Sequence, residues 1–232
     1  MRGVAKRSEA GGSPNLLRIR RKCVGISKFY RILPQSPGYA GDSPLINAGA
    51  EAPAALNTLN DTEGGNMERI LIIGCSGAGK STLARALGER LGLPVVHLDQ
   101  LWHRKGWEYV TREEFDAQLD LALNMDRWII DGNYSRTIPQ RLPKCDTIIY
   151  LDFSRWECLL GMCQRVLGNY GKTRPDMAAG CPERFDWEFV KFIWNFNKNN
   201  RVQNYTYLAM AKHAEHIVLK NRKEVKTFLA RL

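Results

Sequence analysis

The run Gly74-Cys75-Ser76-Gly77-Ala78-Gly79-Lys80-Ser81 constrains this chain more than any other segment. It has the spacing G-x-x-x-x-G-K-[ST], and both of its flanks suit that spacing. Before it, Arg69-Ile70-Leu71-Ile72-Ile73 is a short apolar, β-branched stretch fitted to a strand buried on both faces of a parallel sheet. After it, Leu83, Leu87 and Leu91 recur every four residues, the stripe of a helix packed on one side. Glycines at such a strand-to-helix turn let backbone N–H groups curl around phosphate oxygens at the positive end of the helix. The candidate nucleotide-binding residues are therefore Gly74, Cys75, Ser76, Gly77, Ala78, Gly79, Lys80, Ser81 and Thr82. Lys80 is placed to reach β and γ phosphates, and the Ser81 hydroxyl to sit on Mg²⁺. Cys75 and Ser76 occupy variable positions, and Cys75 reads as a small packing residue because nothing nearby supplies a partner for a thiolate.

Residues 1–66 hold much of the Gly, Pro, Ser and Asn, and show no sustained period of 2 or 3.6. They read as a disordered or dispensable leader before a single domain at 67–232, with Met67 just ahead of the first core strand. The rival reading is a targeting peptide, since residues 1–31 carry nine Lys or Arg against the one acid Glu9; no arginine-bearing amphipathic helix is evident there. The net charge of +10 divides into +4 before residue 67 and +6 after it. An excess of that size suits a polyanionic small molecule and permits DNA without requiring it. The six cysteines form no C-x-x-C pair and no Cys/His ligand spacing, which reads as reduced thiols in a cytoplasmic protein. No apolar run approaches the ~18 residues of a membrane span, so no membrane partner is expected.

From Met67 onward strand and helix patterns alternate. Leu93–Leu98 reads as a second strand, and Thr111-Arg112-Glu113-Glu114 as a capping box opening a helix with Phe115, Leu119, Ala122 and Leu123 on one face. Arg127–Ile130 is a third strand and Thr147–Leu151 a fourth. Ser154-Arg155-Trp156-Glu157 is a further capping box, before a helix carrying Leu159, Leu160, Cys163, Val166 and Leu167. Residues 168–183 break the pattern with a Gly-, Pro- and base-containing stretch whose length is that of a lid. An aromatic-rich helix over Asp186–Asn197 follows, then a last strand at Ile217–Leu219 and a last helix at Val225–Leu232. Phe185, Phe189, Phe192 and Phe196 fall at helical offsets and read as a packing stripe rather than a nucleic-acid stacking platform. Five short strands separated by helices imply an α/β fold with a parallel five-stranded sheet covered on both faces.

In such sheets ligands bind beyond the carboxyl ends of the strands. Asp99 follows strand two, where it either accepts a proton from, or orients, a hydroxyl or phosphate acceptor, or caps the next turn. Asp131 ends strand three, either as a second holder of Mg²⁺ or as a turn residue before Gly132. Asp152 reads as a structural cap before Ser154. Arg136 is a candidate acceptor anchor, because a guanidinium fork matches phosphate or carboxylate. Arg165 on the following helix and Arg174 in the lid are candidates for neutralising charge on a transferring phosphoryl group, with a solvated basic loop as the alternative. His97 reads as a satisfied core group; Trp102 and His103 are candidate lining of the acceptor pocket.

Asp131-Gly132-Asn133-Tyr134-Ser135-Arg136-Thr137 is similar to the D-G-F-P-R-T segment of adenylate kinases, whose arginine grips the acceptor phosphate. With His97-Leu98-Asp99 and Trp102, Thr173-Arg174-Pro175-Asp176-Met177 and Gly180–Asp186, residues 67–232 resemble adenylate-kinase-like P-loop NTPases known as DNA topology modulation proteins. The resemblance implies a three-layer, nucleoside monophosphate kinase-like P-loop fold with a lid, using ATP and Mg²⁺. Asn133 and Tyr134 stand where adenylate kinases have Phe-Pro, so the resemblance does not carry AMP over as the acceptor.

Two functional classes follow. One is an ATP- and Mg²⁺-dependent P-loop kinase that phosphorylates a small molecule or nucleotide. The other is a nucleotide-gated regulator or DNA-associated ATPase with no small-molecule acceptor. The segment from Asp131 to Arg136 favours the first, and no [NT]-K-x-D guanine-reading segment is present.

Overall fold

The fold was analysed in a computed structural model that describes residues 67–232; the expectations for residues 1–66 lie outside them. The first strand, β1 (Arg69–Gly74), is apolar at every position after Arg69 and buried from Ile70 onward, so it occupies the centre of a sheet. It pairs in parallel with β5 (Trp128–Asp131) on one side and β6 (Thr147–Leu151) on the other. β2 (Val95–His97) and β7 (Glu215–Leu219) complete a five-stranded parallel sheet in the order β2-β5-β1-β6-β7. Strand order reverses at β1, so the loop after β1 opens where connections leave towards both faces of the sheet.

Alternation along β1 divides the core into two layers. Ile70 and Ile72 face α1 (Lys80–Leu91), α5 (Arg155–Asn169) and α7 (Arg222–Arg231), while Leu71 and Ile73 face α3 (Arg112–Leu123) and α4 (Ile138–Arg141). The long α6 (Trp187–Met210) contributes Ile193 and Phe196 to the first layer and Leu208 to the second. Burying each of these aliphatic side chains is worth about 1.5–3 kcal/mol, which makes the α/β sandwich the solution this pattern selects.

Several local expectations are corrected. Strand two is three residues long, because Gly92 (φ 64) caps α1 and ties the Leu93 N–H to the Gly88 carbonyl, while Leu98 already starts α2 (Leu98–Trp102). A two-stranded hairpin, β3 (His103–Arg104) with β4 (Glu108–Tyr109), follows α2 and turns at Gly106 and Trp107, both at positive φ. Thr111 caps α3 by accepting from the Glu114 N–H at 3.2 Å, but the Glu114 carboxylate accepts from Arg104, so the box is half-formed. The Ser154–Glu157 box is complete.

On α5 the buried stripe is Cys158, Met162 and Val166, whereas Leu160, Cys163 and Leu167 are exposed. The helix is turned because Gly161 lies against the phosphate-loop backbone, where a Cβ would stand 2.1 Å from the Gly77 carbonyl oxygen. α6 runs on to Met210, beyond the end at Asn197 that the sequence predicts, and Asp186 is its N-cap. Phe185 is exposed, so the packing stripe begins at Phe189. Asp152 does not cap α5. Its Oδ2 accepts from Arg201 and from the Tyr205 hydroxyl, and its Oδ1 from the Tyr150 hydroxyl, which anchors α6 to the end of β6.

Candidate functional site

The loop at residues 75–79 links the central strand β1 to the first turn of α1. Gly79 is the N-cap at φ 98, where glycine avoids the left-handed penalty. Neither a side-chain cap nor an acidic residue occupies the first turn of α1, so its backbone N–H groups keep their positive character for an anion. Lys80 and Ser81 are the first two residues of that helix, and Thr82 the third. The Lys80 ammonium donates to the Cys75 carbonyl at 3.2 Å, folded over its own loop. Cys75 is buried beside Cys158, and contact with that thiol together with burial pushes its own thiol well above the ordinary range. It packs, as the sequence suggests, and is not a reactive thiolate.

Asp131 ends β5 beside β1. Its Oδ2 meets His97 Nδ1 at 3.0 Å, and its Oδ1 is buried with no hydrogen-bond partner among the described residues. A buried carboxylate oxygen left without a donor is costly, and a cation or a water held by one relieves that cost. His97 is thus satisfied by Asp131 rather than by the backbone. Asp99 lies in the first turn of α2, where the N-cap position belongs to His97. The Tyr134 hydroxyl donates to Asp99 Oδ1 at 2.8 Å, and burial, followed by the charge of Asp99, raises the Tyr134 hydroxyl well above its ordinary value. Trp102, Phe115 and Tyr134 pack ring to ring beside it. His103 Nδ1 meets the Asp99 carbonyl at 3.0 Å.

The lid residues form an ion cluster rather than a solvated basic loop. Arg165 meets Glu183 at 3.2 Å, and Arg174 meets Glu183 at 2.7 Å and Asp176 at 2.5 Å. Asp176 also meets Arg85 of α1 at 3.3 Å, so the lid is tied to the helix that starts at the phosphate loop. Burial, then the charge of Arg174, lowers the Arg165 guanidinium. Burial alone would raise the Asp176 carboxyl, but Arg174, the backbone and Arg85 more than offset it and hold it below its ordinary value. Further bonds from Gln100 to the Pro175 carbonyl (2.6 Å) and from the Gly106 N–H to Gly180 (3.0 Å) close the lid onto α2 and the hairpin.

Arg136 stands apart from this cluster. Its guanidinium makes a fork to Asp116 of α3 at 2.9 and 2.6 Å and lies 6.0 Å from the Phe115 ring centroid. The phosphate loop and Asp131 thus stand at the carboxyl ends of β1 and β5 and Asp99 just beyond β2, Arg165 and Arg174 pair with Glu183 and Asp176, and Arg136, read from the sequence as an acceptor anchor, is engaged with Asp116. The sequence reading missed Asp176 and Glu183, the counter-ions of the lid, for which Thr173–Met177 and Gly180–Asp186 gave only a family resemblance. It also missed Arg141, a fully buried guanidinium whose partners are the carbonyls of Gly132 (2.8 Å), Asn133 and Tyr134 (3.0 Å). Burial pushes Arg141 down to about 9.

Among the described residues no group of three or more His, Cys, Asp or Glu could hold a metal ion, and no helix is long and apolar enough to cross a membrane. A family model described as an AAA domain matches residues 70–150. No curated protein matches the chain. Among solved structures, a gluconokinase from Sinorhizobium meliloti 1021 is 16% identical, with 71% of this chain and 92% of that one covered at a TM-score of 0.41. A shikimate kinase from Bacteroides thetaiotaomicron is 20% identical over 71% and 96%, at 0.45. A deoxyadenosine kinase from M. mycoides with bound dATP is 16% identical over 71% and 98%, at 0.40.

Proposed function

We propose that this chain binds ATP at Gly74–Thr82 and transfers its γ-phosphoryl group to a small-molecule or nucleotide acceptor, as an adenylate-kinase-like P-loop phosphotransferase. The observation that carries the reading is a pair of features at one end of the sheet: a helix whose first turn has no side-chain cap and no acidic residue, and a buried oxygen of Asp131 on the neighbouring strand with no partner among the described residues. Mg²⁺ fits that pair, held by the Ser81 hydroxyl and the Asp131 carboxylate together with phosphate oxygens and water, because this ion uses one or two protein ligands and not a closed cage. When bound it neutralises charge on the phosphates.

The remaining roles belong to the chain's own groups. Backbone N–H groups of the loop hold the phosphates, and Lys80 turns from the Cys75 carbonyl to the β and γ phosphates. Asp99, held by the Tyr134 hydroxyl, orients the acceptor or takes its proton. Arg165 and Arg174 exchange Glu183 and Asp176 for developing phosphoryl charge, a role worth ~10³ to 10⁵ in rate for an arginine used this way. Arg136 anchors the acceptor by leaving Asp116. That exchange is cheap, because both side chains of the pair are about a third exposed (35% and 32%) and such a pair contributes only about 0–1 kcal/mol.

The test is a screen of hydroxyl, carboxyl and phosphate acceptors, read as ADP release by the full chain. Release that needs an acceptor supports the kinase reading. Release without one, accelerated by duplex DNA in a salt-dependent way, supports the DNA-associated ATPase instead.

A further inference from the structure

We infer that Asn133 is a positioning residue for the phosphate loop, acting through a side-chain hydrogen-bond pair that replaces one step of the β-sheet; this rests on the nucleotide reading above. β1 and β5 pair in parallel up to Ile72 and Asp131. Continued in that register, Gly74 would face Asn133. The main chain cannot continue, because Gly132 turns away at φ 139, its N–H reaching the Ile72 carbonyl only at 3.3 Å. The Asn133 carboxamide fills the gap. Its Oδ1 accepts from the Gly74 N–H at 2.9 Å, and its Nδ2 donates to the Gly74 carbonyl at 2.7 Å.

Both atoms of Gly74 on that side are thereby satisfied at the residue where the phosphate loop begins. The other side of Gly74 is fixed by β6, since a Cβ there would stand 2.7 Å from the Leu151 carbonyl oxygen. The first residue of the loop is therefore clamped between a strand and a side chain. Among side chains of this length, only a carboxamide offers a donor and an acceptor side by side at neutral pH, where an aspartate is ionised, and the two partners settle which atom is which.

The residue doing the clamping is itself held. Arg141 donates to the carbonyls of Gly132, Asn133 and Tyr134, which ties down the backbone carrying the carboxamide. Tyr134, at φ 33, passes its hydroxyl to Asp99. One three-residue segment thus sets the start of the phosphate-binding loop on one side and the carboxylate proposed for the acceptor on the other. Phosphate-side and acceptor-side geometry are coupled through Asn133, and loss of its carboxamide loosens nucleotide binding without removing any group that touches the nucleotide.

The test uses the full chain with an ATP analogue carrying a fluorescent N-methylanthraniloyl group, titrated into the parent, Asn133→Leu and Asn133→Asp. Asn133→Leu leaves the Gly74 N–H and carbonyl unpaired, and the analogue should bind at least about tenfold more weakly. Asn133→Asp separates positioning from simple packing by its pH profile. The ionised carboxylate keeps the acceptor and loses the donor. The protonated acid restores both, so affinity relative to the parent should recover as pH falls from 8 through the carboxyl range to about 4, a recovery Asn133→Leu cannot show. A parent that binds while both variants bind equally well at every pH overturns the inference alone. So does an Asn133→Asp defect that stays constant with pH. A parent that does not bind the analogue overturns the nucleotide reading and this inference with it.

Discussion

Replacing Gly77 by alanine asks whether the phosphate loop takes its shape from contact with α5. A Cβ on Gly77 would stand 2.1 Å from the Cys158 carbonyl oxygen, 3.0 Å from its carbonyl carbon and 3.1 Å from the Met162 nitrogen. Carbon-to-oxygen contacts settle at roughly 3.3 Å or more, so the loop or the helix must move by about an ångström, and every atom in the way is backbone. Overpacking of this kind costs about 1–3 kcal/mol. The positive φ of 84 adds about 1–2 kcal/mol for a residue with a side chain. Together these give about 2–5 kcal/mol, or a fall in Tm of roughly 4–20 °C for a domain of this size. Gly79 is the control: its φ is 98 and nothing lies within 4 Å of its Cβ position. Gly79→Ala carries only the conformational cost, about 1–2 kcal/mol, and a fall of roughly 2–8 °C. Thermal unfolding of the two variants by circular dichroism, without nucleotide, reads the difference. If Gly77→Ala melts at or above Gly79→Ala, the contact with α5 does not shape the loop.

Asp99→Asn should lower kcat by roughly 10²–10⁴, and Arg136→Ala should raise the acceptor KM with ATP binding nearly unchanged; equal effects of both on ATP affinity would contradict the roles assigned. The lid latch should be acid-labile. Because the folded chain holds the Asp176 carboxyl below its ordinary value, its contribution is complete above the ordinary carboxylate range and is lost as pH falls through the folded value. Limited proteolysis of residues 168–183 should therefore stay constant from pH 8 to 5 and rise only below roughly pH 4; a rise between pH 7 and 6 would mean another group controls the latch. Deleting residues 1–66 should leave the melting temperature and ATP affinity unchanged, and a drop of several degrees would show that the leader belongs to the fold.

The phosphate loop and the central strands were legible because both rest on local patterns. An apolar run with no alternation marks a strand covered on both faces, and glycine spacing marks the turn after it. Thr147–Leu151 was read to the residue for this reason. The face of α5 was not legible, since Leu159, Leu160, Cys163 and Val166 make a plausible stripe until Gly161 is known to lie against Gly77. Long-range polar pairing was equally hidden. Asp152 serves Arg201 and Tyr205, some fifty residues on, and Asp176 serves Arg85 from the far side of the chain. Arg141, charged and fully buried, has only carbonyl partners, which no residue type in the sequence announces. Asn133 showed itself in sequence only as a departure from Phe; its meaning lies in a register between strands β1 and β5.

The most direct test of the central claim is the fate of the γ-phosphate. ATP labelled at that position is incubated with the full chain, Mg²⁺ and a pool of small-molecule acceptors, and label is counted separately in organic product and in inorganic phosphate. Label is expected in an organic product, and is expected to be lost in Lys80→Ala while circular dichroism is unchanged, because Lys80 contributes charge to the phosphates and little to the core. Label found only in inorganic phosphate, released at the same rate with or without the acceptor pool, would contradict the central claim.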